Sequence, residues 1–271
     1  MSEKAVHSTR LFNQSIKQEQ NIDELNDYVL QGLCKVEDKY LLSAYDYQHN
    51  NNSIIYVLGE DLKKYYIKEL DTDSHVGGIT YDPVHENVWI TDNNGTVSAY
   101  SKDDMFNSKL KIESKYKKVF VGSELNNYYG ICSAAYITYH DNKLYIGNFN
   151  NRNETVIKEY NILSSGFIDT KNYNKTKISE YVQGIAFYDC DDKTYLITSS
   201  SYGRFFNSKL RFYDFNKLKK ACEISTKPMM EEIIVDDDNL VCLYESNAKV
   251  YKNNEKSKDI IITDINKLLT K

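Results

Sequence analysis

The chain has 271 residues, 27% of them charged and 41% apolar, with a formal net charge of −5, a balance that supports a folded core and excludes a fully disordered chain. Its lysines are spread along the sequence instead of gathered into basic blocks, which excludes the charge footprint of a nucleic-acid surface. Apolar runs such as Asp259-Ile-Ile-Ile-Thr263 fall far short of the roughly 20 residues of a membrane-spanning helix, so a soluble chain with neither nucleic acid nor membrane as partner is expected.

The first residues, Met1-Ser-Glu-Lys-Ala-Val6, lack the charged and apolar regions of a signal peptide. They predict a cytoplasmic protein, or a secreted one whose leader has been removed. Residues 1–28 are polar and form an N-terminal extension with two readings: an outer strand that closes a ring, over Thr9-Ser15, or a helix around Ile22-Leu25.

From residue 29 to 271 one pattern returns five times, as a single repeat domain. Each unit opens on an apolar strand: Leu30–Val36, Val76–Tyr81, Ser133–Thr138, Val182–Phe187 and Met230–Val235. A second strand follows an acidic turn, at Lys39–Ala44, Asn87–Thr91, Lys143–Gly147, Thr194–Thr198 and Asn239–Leu243. Third strands are expected at Ser53–Leu58, Gly95–Tyr100, Thr155–Tyr160, Lys209–Tyr213 and Ala248–Tyr251. Polar outer strands follow at Lys64–Leu70, Lys117–Val121, Gly166–Thr170, Ala221–Ser225 and Asp259–Thr263.

Aligned on Gln31, Gly77, Ala134, Gln183 and Glu231, the repeats are spaced by about 46, 57, 49 and 48 residues, the length of a four-stranded propeller blade. The fold class is therefore all-β, a five-bladed β-propeller of antiparallel four-stranded blades. The long second spacing reflects an insertion, Ser101–Lys115, whose Ser101-x-x-Asp104 start predicts a capped short helix. Asp264 before Ile-Asn-Lys-Leu-Leu predicts an N-capped terminal helical turn.

The segments Leu30-Gln-Gly-Leu33, Val182-Gln-Gly-Ile185, Ser74–Asp82, Ser201-Tyr-Gly-Arg204 and Tyr244-Glu-Ser246 resemble a group of uncharacterised bacterial five-bladed propellers over residues 29–252. The chain is more distantly similar to NHL-type and gluconolactonase-like propellers, without their metal-ligand pattern. The resemblance implies fold and no chemistry. Its pattern departs at Glu231-Glu-Ile233, where a carboxylate, Glu232, stands at a glycine position.

Alternating strand direction puts the starts of first strands and the ends of second strands on one face. There Gln31, His75, Gln183 and Glu231 should ring the channel mouth, with Tyr45, Asp46, Asp92, Asn148, Asn150, Tyr202, Arg204 and Glu245 around it. Each has a plainer role available. The glutamines can satisfy neighbouring blades, His75 can be a loop histidine, and Arg204 can form a bridge to Glu245 or Glu231. Tyr129 is weak evidence in a chain with 24 tyrosines. The opposite turns, Glu37-Asp38, Asp82–Asn87, Asp141-Asn142, Asp189–Asp192 and Asp236–Asp238, lack calcium-loop spacing and read as hairpin turns.

Five dispersed cysteines, Cys34, Cys132, Cys190, Cys222 and Cys242, predict reduced thiols, and neither metal nor cofactor is expected. No familiar catalytic motif is present. The leading reading is binding of a small polar molecule or glycan by Gln31, Tyr45, His75, Gln183, Tyr202, Arg204, Glu231 and Glu245. The alternatives are a hydrolase or lyase with Glu231 or His75 as base and Arg204 stabilising charge, and a scaffold that binds a protein partner on the same face.

Overall fold

A computed structural model describes residues 3–23, 25, 27–92, 95–121, 132–252 and 254–269. Five four-stranded antiparallel sheets form a five-bladed β-propeller. The chain opens with α1 (Glu3–Ser15) and β1 (Ile16–Gln20). Blade one is β2 (Tyr28–Val36), β3 (Lys39–Asp46), β4 (Ile54–Gly59) and β5 (Lys64–Glu69). Blade two is β6 (Ile79–Asp82), β7 (Asn87–Thr91), β8 (Thr96–Ser101) and, after α2 (Lys102–Phe106), β9 (Tyr116–Phe120). Blade three is β10 (Cys132–His140), β11 (Lys143–Phe149), β12 (Thr155–Ile162) and β13 (Ile168–Ile178). Blade four is β14 (Val182–Cys190), β15 (Lys193–Ser200), β16 (Lys209–Asp214) and β17 (Lys219–Ser225). Blade five takes β18 (Met230–Asp236), β19 (Asn239–Tyr244) and β20 (Ile260–Asp264), and its outer strand is β1. The chain ends with α3 (Ile265–Leu269).

Two expectations are corrected in blade five. Its third strand is Ile260–Asp264, not Ala248–Tyr251. Around Ala248 the backbone turns twice, with Ala248 N donating to Glu245 O and Tyr251 N to Ala248 O, while the β-branched run Ile260-Ile-Ile262 takes the inner ladder against Leu243–Val241. The edge left vacant is filled by Ile16–Gln20, antiparallel to β20. Thr9–Ser15 is helical, and the described residues around Ile22 form no helix, Ile22 N–H donating to Asp259 Oδ2 at 2.8 Å. Phe12 anchors α1 in a core with Phe212, Tyr244, Ile265 and Leu268.

The chain divides into two compact units, Asp27–Tyr181 with blades one to three, and Met1–Asn26 with Val182–Lys271 carrying blades four and five. The acidic hairpin turns serve the backbone. Glu37, Glu86, Asp141, Asn142, Asp191 and Asp237 adopt positive φ of 48° to 57°, and Asp82 accepts from the amides of Val84 and His85. Asp264 Oδ1 accepts from Lys267 N at the start of α3. Cys34, Cys222 and Cys242 are buried and Cys190 is half-buried, and none of the four is in a disulfide.

Ser101 caps α2, accepting from Asp104 N at 3.1 Å. The insertion does more than decorate blade two. Residues 110–112 run alongside Glu69 of blade one, and buried Lys68 donates to Asn107 O at 2.5 Å, Asn107 Oδ1 at 3.1 Å and Lys109 O at 2.6 Å. Replacing Lys68 with Met is expected to cost about 1–2 kcal/mol by leaving these acceptors without their donor. Hydrogen exchange should then accelerate first at the Glu69 and Ile112 amides; uniform exchange would show that the lysine is not the clasp.

Each inner strand carries a matched pair where it meets the second strand. Gly32 faces Ser43, Tyr136 faces Gly147, and Gly184 faces Ser199. Ser43 Oγ accepts from Gly32 N and donates to Val76 O of the next blade. Ser199 Oγ donates to Glu231 O at 2.5 Å. In blade two Gly78 N donates to Thr91 Oγ1. Blade five has Leu243 in place of the hydroxyl, and Glu232 stands at the glycine position. Its own Oε1 accepts from Ile233 N at 3.0 Å, and its carboxyl also accepts from the Ile185 amide of blade four. The departure is therefore a local exchange: the missing hydroxyl is replaced by a carboxyl from the opposite strand.

Candidate functional site

Three of the residues on which the repeats align, Gln31, Gln183 and Glu231, sit at a β-bulge. Ladder register jumps between Leu30 and Gly32, between Val182 and Gly184, and between Met230 and Ile233. Gln31 and Gln183 are the extra residues of the first two bulges, and Glu231 opens the third. A bulge turns its side chain off the regular pleat, which explains polar residues at the heads of otherwise apolar strands.

In the unit containing blades four and five, the bulge residues converge. Gln183 Nε2 approaches Glu231 Oε1 at 3.4 Å, and the carboxyl of Glu245 lies beside that of Glu231. Glu231 is buried, and burial, followed by the neighbouring Glu245 charge, pushes its pKa well up. A protonated Glu231 satisfies both facts, because two ionised carboxylates cannot sit in contact. Tyr251 Oη donates to Glu245 Oε2 at 2.5 Å, and the Arg204 guanidinium lies 4.8 Å from the centre of the Tyr251 ring. Among the described residues Arg204 forms no ion pair with Glu245 or Glu231, so the expected bridge is replaced by a stack on tyrosine.

Arg204 sits in the loop 201–208, where Gly203 takes φ +66°. The Tyr202 and Phe206 rings lie 5.6 Å apart in a tilted arrangement, and Phe205 is 75% exposed. Phe205, Phe206 and Tyr251 escaped the sequence reading. The run Arg204-Phe-Phe206 beside a glycine is a usable signal, whereas the sequence pattern places Tyr251 in a strand.

Gln31, Tyr45 and His75 belong to the unit Asp27–Tyr181. Gln31 is buried, and its Nε2 donates to Leu30 O at 2.9 Å. The His75 ring lies 4.2 Å from Tyr45, and Tyr45 stacks on His49 at 5.7 Å. Desolvation, with a smaller effect from His49, lowers the His75 pKa to about 4, which makes it a neutral imidazole near pH 7. Val76 has φ +47° and is held by its carbonyl, which accepts from Ser43 Oγ. Three of the crowning residues are occupied locally. Asp46 accepts from the Gln48, Asn50 and Asn51 amides, Asn148 from Val156 N, and Asn150 from Arg152 N and Asn153 N. Asp92 is buried, and Tyr129 lies outside the described residues. Among the described residues no cluster of His, Cys, Asp or Glu could hold a metal ion, and no helix is long and apolar enough to cross a membrane.

No protein-family model and no curated protein matches the chain. Solved structures do. Glutaminyl cyclase of Myxococcus xanthus aligns over 92% of this chain and 96% of its own, at 10% identity and a TM-score of 0.57. The RRP9 WD40 repeats align over 92% and 99%, at 8% identity and 0.51. A chain of a nidogen/laminin complex aligns over 88% and 84%, at 10% identity and 0.52. At such identities the likeness shows the propeller fold alone.

Proposed function

We propose that Gln183, Glu231, Glu245, Tyr251 and Arg204 bind a small polar ligand rich in hydroxyl groups, a sugar or short glycan, beside the aromatic loop 201–208. The observation that carries this reading is the carboxyl pair Glu231–Glu245 with Tyr251 on its flank. It offers acceptors and a retained proton in one place, next to a planar guanidinium and exposed rings. Gln31, Tyr45 and His75 belong to the proposal as a second polar set. Kinship with bacterial propellers of the NHL or gluconolactonase type is part of the same proposal and has the blade architecture for support.

The pair also favours binding over glycoside hydrolysis. Catalytic carboxyls that flank a scissile sugar bond stand about 5 Å or more apart on either side of it, whereas Glu231 is buried and lies beside Glu245.

Titration of the protein with a panel of mono- and disaccharides, followed by NMR shifts of the Gln183 and Arg204 side chains, tests the reading. Arg204→Ala should weaken the best ligand by ~1.5–3 kcal/mol, the range of a hydrogen bond to a charged group. Unchanged affinity in Arg204→Ala and in Glu245→Gln would overturn it. A protein partner captured through Phe205 and Phe206, with no sugar bound, would favour the scaffold reading.

A further inference from the structure

Three large rings project into solvent from one short connection, that between β15 and β16. In loop 201–208 Tyr202 is 53% exposed, Phe205 75% and Phe206 60%, and a run of exposed rings marks an interaction site more often than a lone one does. The ends of the loop are fixed. Ser201 and Ser208 are buried, Ser208 O accepts from Thr226 N at 2.9 Å, and Ser208 Oγ accepts from Met230 N at 3.1 Å. Between these anchors the chain stands clear of the fold: Gly203 has φ +66°, and a Cβ added there would meet nothing within 4 Å.

The surroundings of this tip are positive. Arg204 lies in the loop itself, and the β19–β20 connection, which emerges at the same end of the neighbouring blade, brings exposed Lys249, Lys252, Lys256 and Lys258. The two connections meet where the Arg204 guanidinium lies over Tyr251, and the carbonyls of Ser246 and Tyr251 hold the Lys256 ammonium there at 2.5 and 2.8 Å. Among the described residues none of these five cations is ion-paired. Three acids oppose them. Asp259 is buried, its Oδ2 accepts from Ile22 N, and its charge acts on Lys256 and Lys258. Glu245 accepts from Tyr251 and lies beside buried Glu231, which keeps its proton. Glu255 is exposed. Lys227 and Glu19, near Lys256 and Lys258, balance one another. The cations therefore remain in excess, and at the surface only Glu255 opposes them.

We propose that loop 201–208 docks the protein on a membrane surface that contains anionic lipid, with Tyr202, Phe205 and Phe206 entering the headgroup layer and Arg204, Lys249 and Lys252 facing lipid phosphates. Aromatic rings settle at that level of a bilayer, and basic side chains are drawn to its negative surface. A projecting tip suits a yielding interface, whereas a protein partner must offer a cleft already shaped for three rings. The expectation that no membrane is a partner rests on the length of a spanning helix, which an interfacial segment does not need. Membrane docking goes beyond sugar binding and does not depend on it.

The test is flotation of the full chain with vesicles of phosphatidylcholine, alone or mixed with phosphatidylserine. Neither lipid carries a sugar, so failure here leaves the sugar reading untouched, and the reverse holds. Binding is expected on the mixed vesicles and should weaken as salt is raised. It should fall by about tenfold or more in Phe205→Ser/Phe206→Ser, and by about tenfold in Lys249→Gln/Lys252→Gln, which removes two charges near an anionic surface. All four positions are exposed, and circular dichroism checks that the fold is kept. Phe205→Trp reads insertion directly, because Trp89, the single tryptophan of the chain, is buried. Its emission should shift to the blue on the mixed vesicles and be quenched by brominated acyl chains. Absence of binding, or binding that both double variants retain, would overturn the proposal. A dimer that Phe205→Ser/Phe206→Ser dissociates, with no vesicle binding, would overturn it in favour of a second copy of the chain.

Discussion

Substitution of Gly184 by alanine is expected to remove about 3 kcal/mol or more of stability, the upper range for overpacking a core. An added Cβ would lie 2.0 Å from Glu232 Oε1, 2.8 Å from its Cδ and 3.0 Å from its Cα. The last contact is backbone, so a rotamer change cannot relieve it. Moving the Glu232 side chain would also strip the Ile233 and Ile185 amides of their acceptor. Urea denaturation measures the loss. The same substitution in a Glu232→Gly background should cost markedly less, because most of the clashing atoms are gone. Equal losses in both backgrounds would show that the two positions are not coupled.

The second large effect concerns pH. Burial pushes the pKa of Glu232 well above the ordinary glutamate value of about 4.5. The folded protein therefore keeps a proton that the unfolded chain releases above about pH 4.5. Its stabilising share is complete below that value and is lost as pH rises toward the folded-state pKa. Glutamine in its place keeps an acceptor for the two amides and has no proton to lose. Glu232→Gln is thus expected to match the parent near pH 4 and exceed it in alkali, by up to about 1.4 kcal/mol for each further pH unit until the carboxyl ionises. Denaturation at pH 4, 6 and 8 checks this. Parallel pH profiles would mean that Glu232 is not held protonated.

Other groups shape the same profile. Asp259, raised by burial to about 6, acts in the same direction as Glu232 up to that pH. Glu223 acts in the opposite sense. Its bonds to Arg211, Lys209 and Lys220 outweigh its burial and lower it to about 2, so its contribution is present above about 4.5 and disappears as pH falls toward 2. Maximum stability is expected in mildly acid solution, between the two losses.

The blades were legible because alternation and acidic turns recur at blade spacing, and because the bulge places a polar residue at the same point of the inner strand. Gln31, Gln183 and Glu231 were found for that reason. Blade five was misread where its repeat is interrupted: the turn-rich segment 245–259 separates β19 from β20, and an apolar run marks a strand without saying which neighbour it joins. The pairing of Glu231 with Glu245, and the stack of Arg204 on Tyr251, depend on loop paths that no periodicity encodes. Glu232 was visible as an anomaly, but its meaning required the opposing Leu243 and the approach of Gly184.

The sheet that unites Ile16 with Thr263 has a consequence for biosynthesis. One strand leaves the ribosome long before its partner, with blades one to four made in between. Blades one to four can assemble from neighbouring hairpins while β1 waits unpaired, and the last sheet is finished by a contact of extreme sequence separation. Such a contact is slow to form, and the waiting strand is a template for mispairing with another nascent chain. The polar run Lys17-Gln-Glu-Gln20 of β1, largely exposed even when folded, keeps that waiting edge polar on both faces.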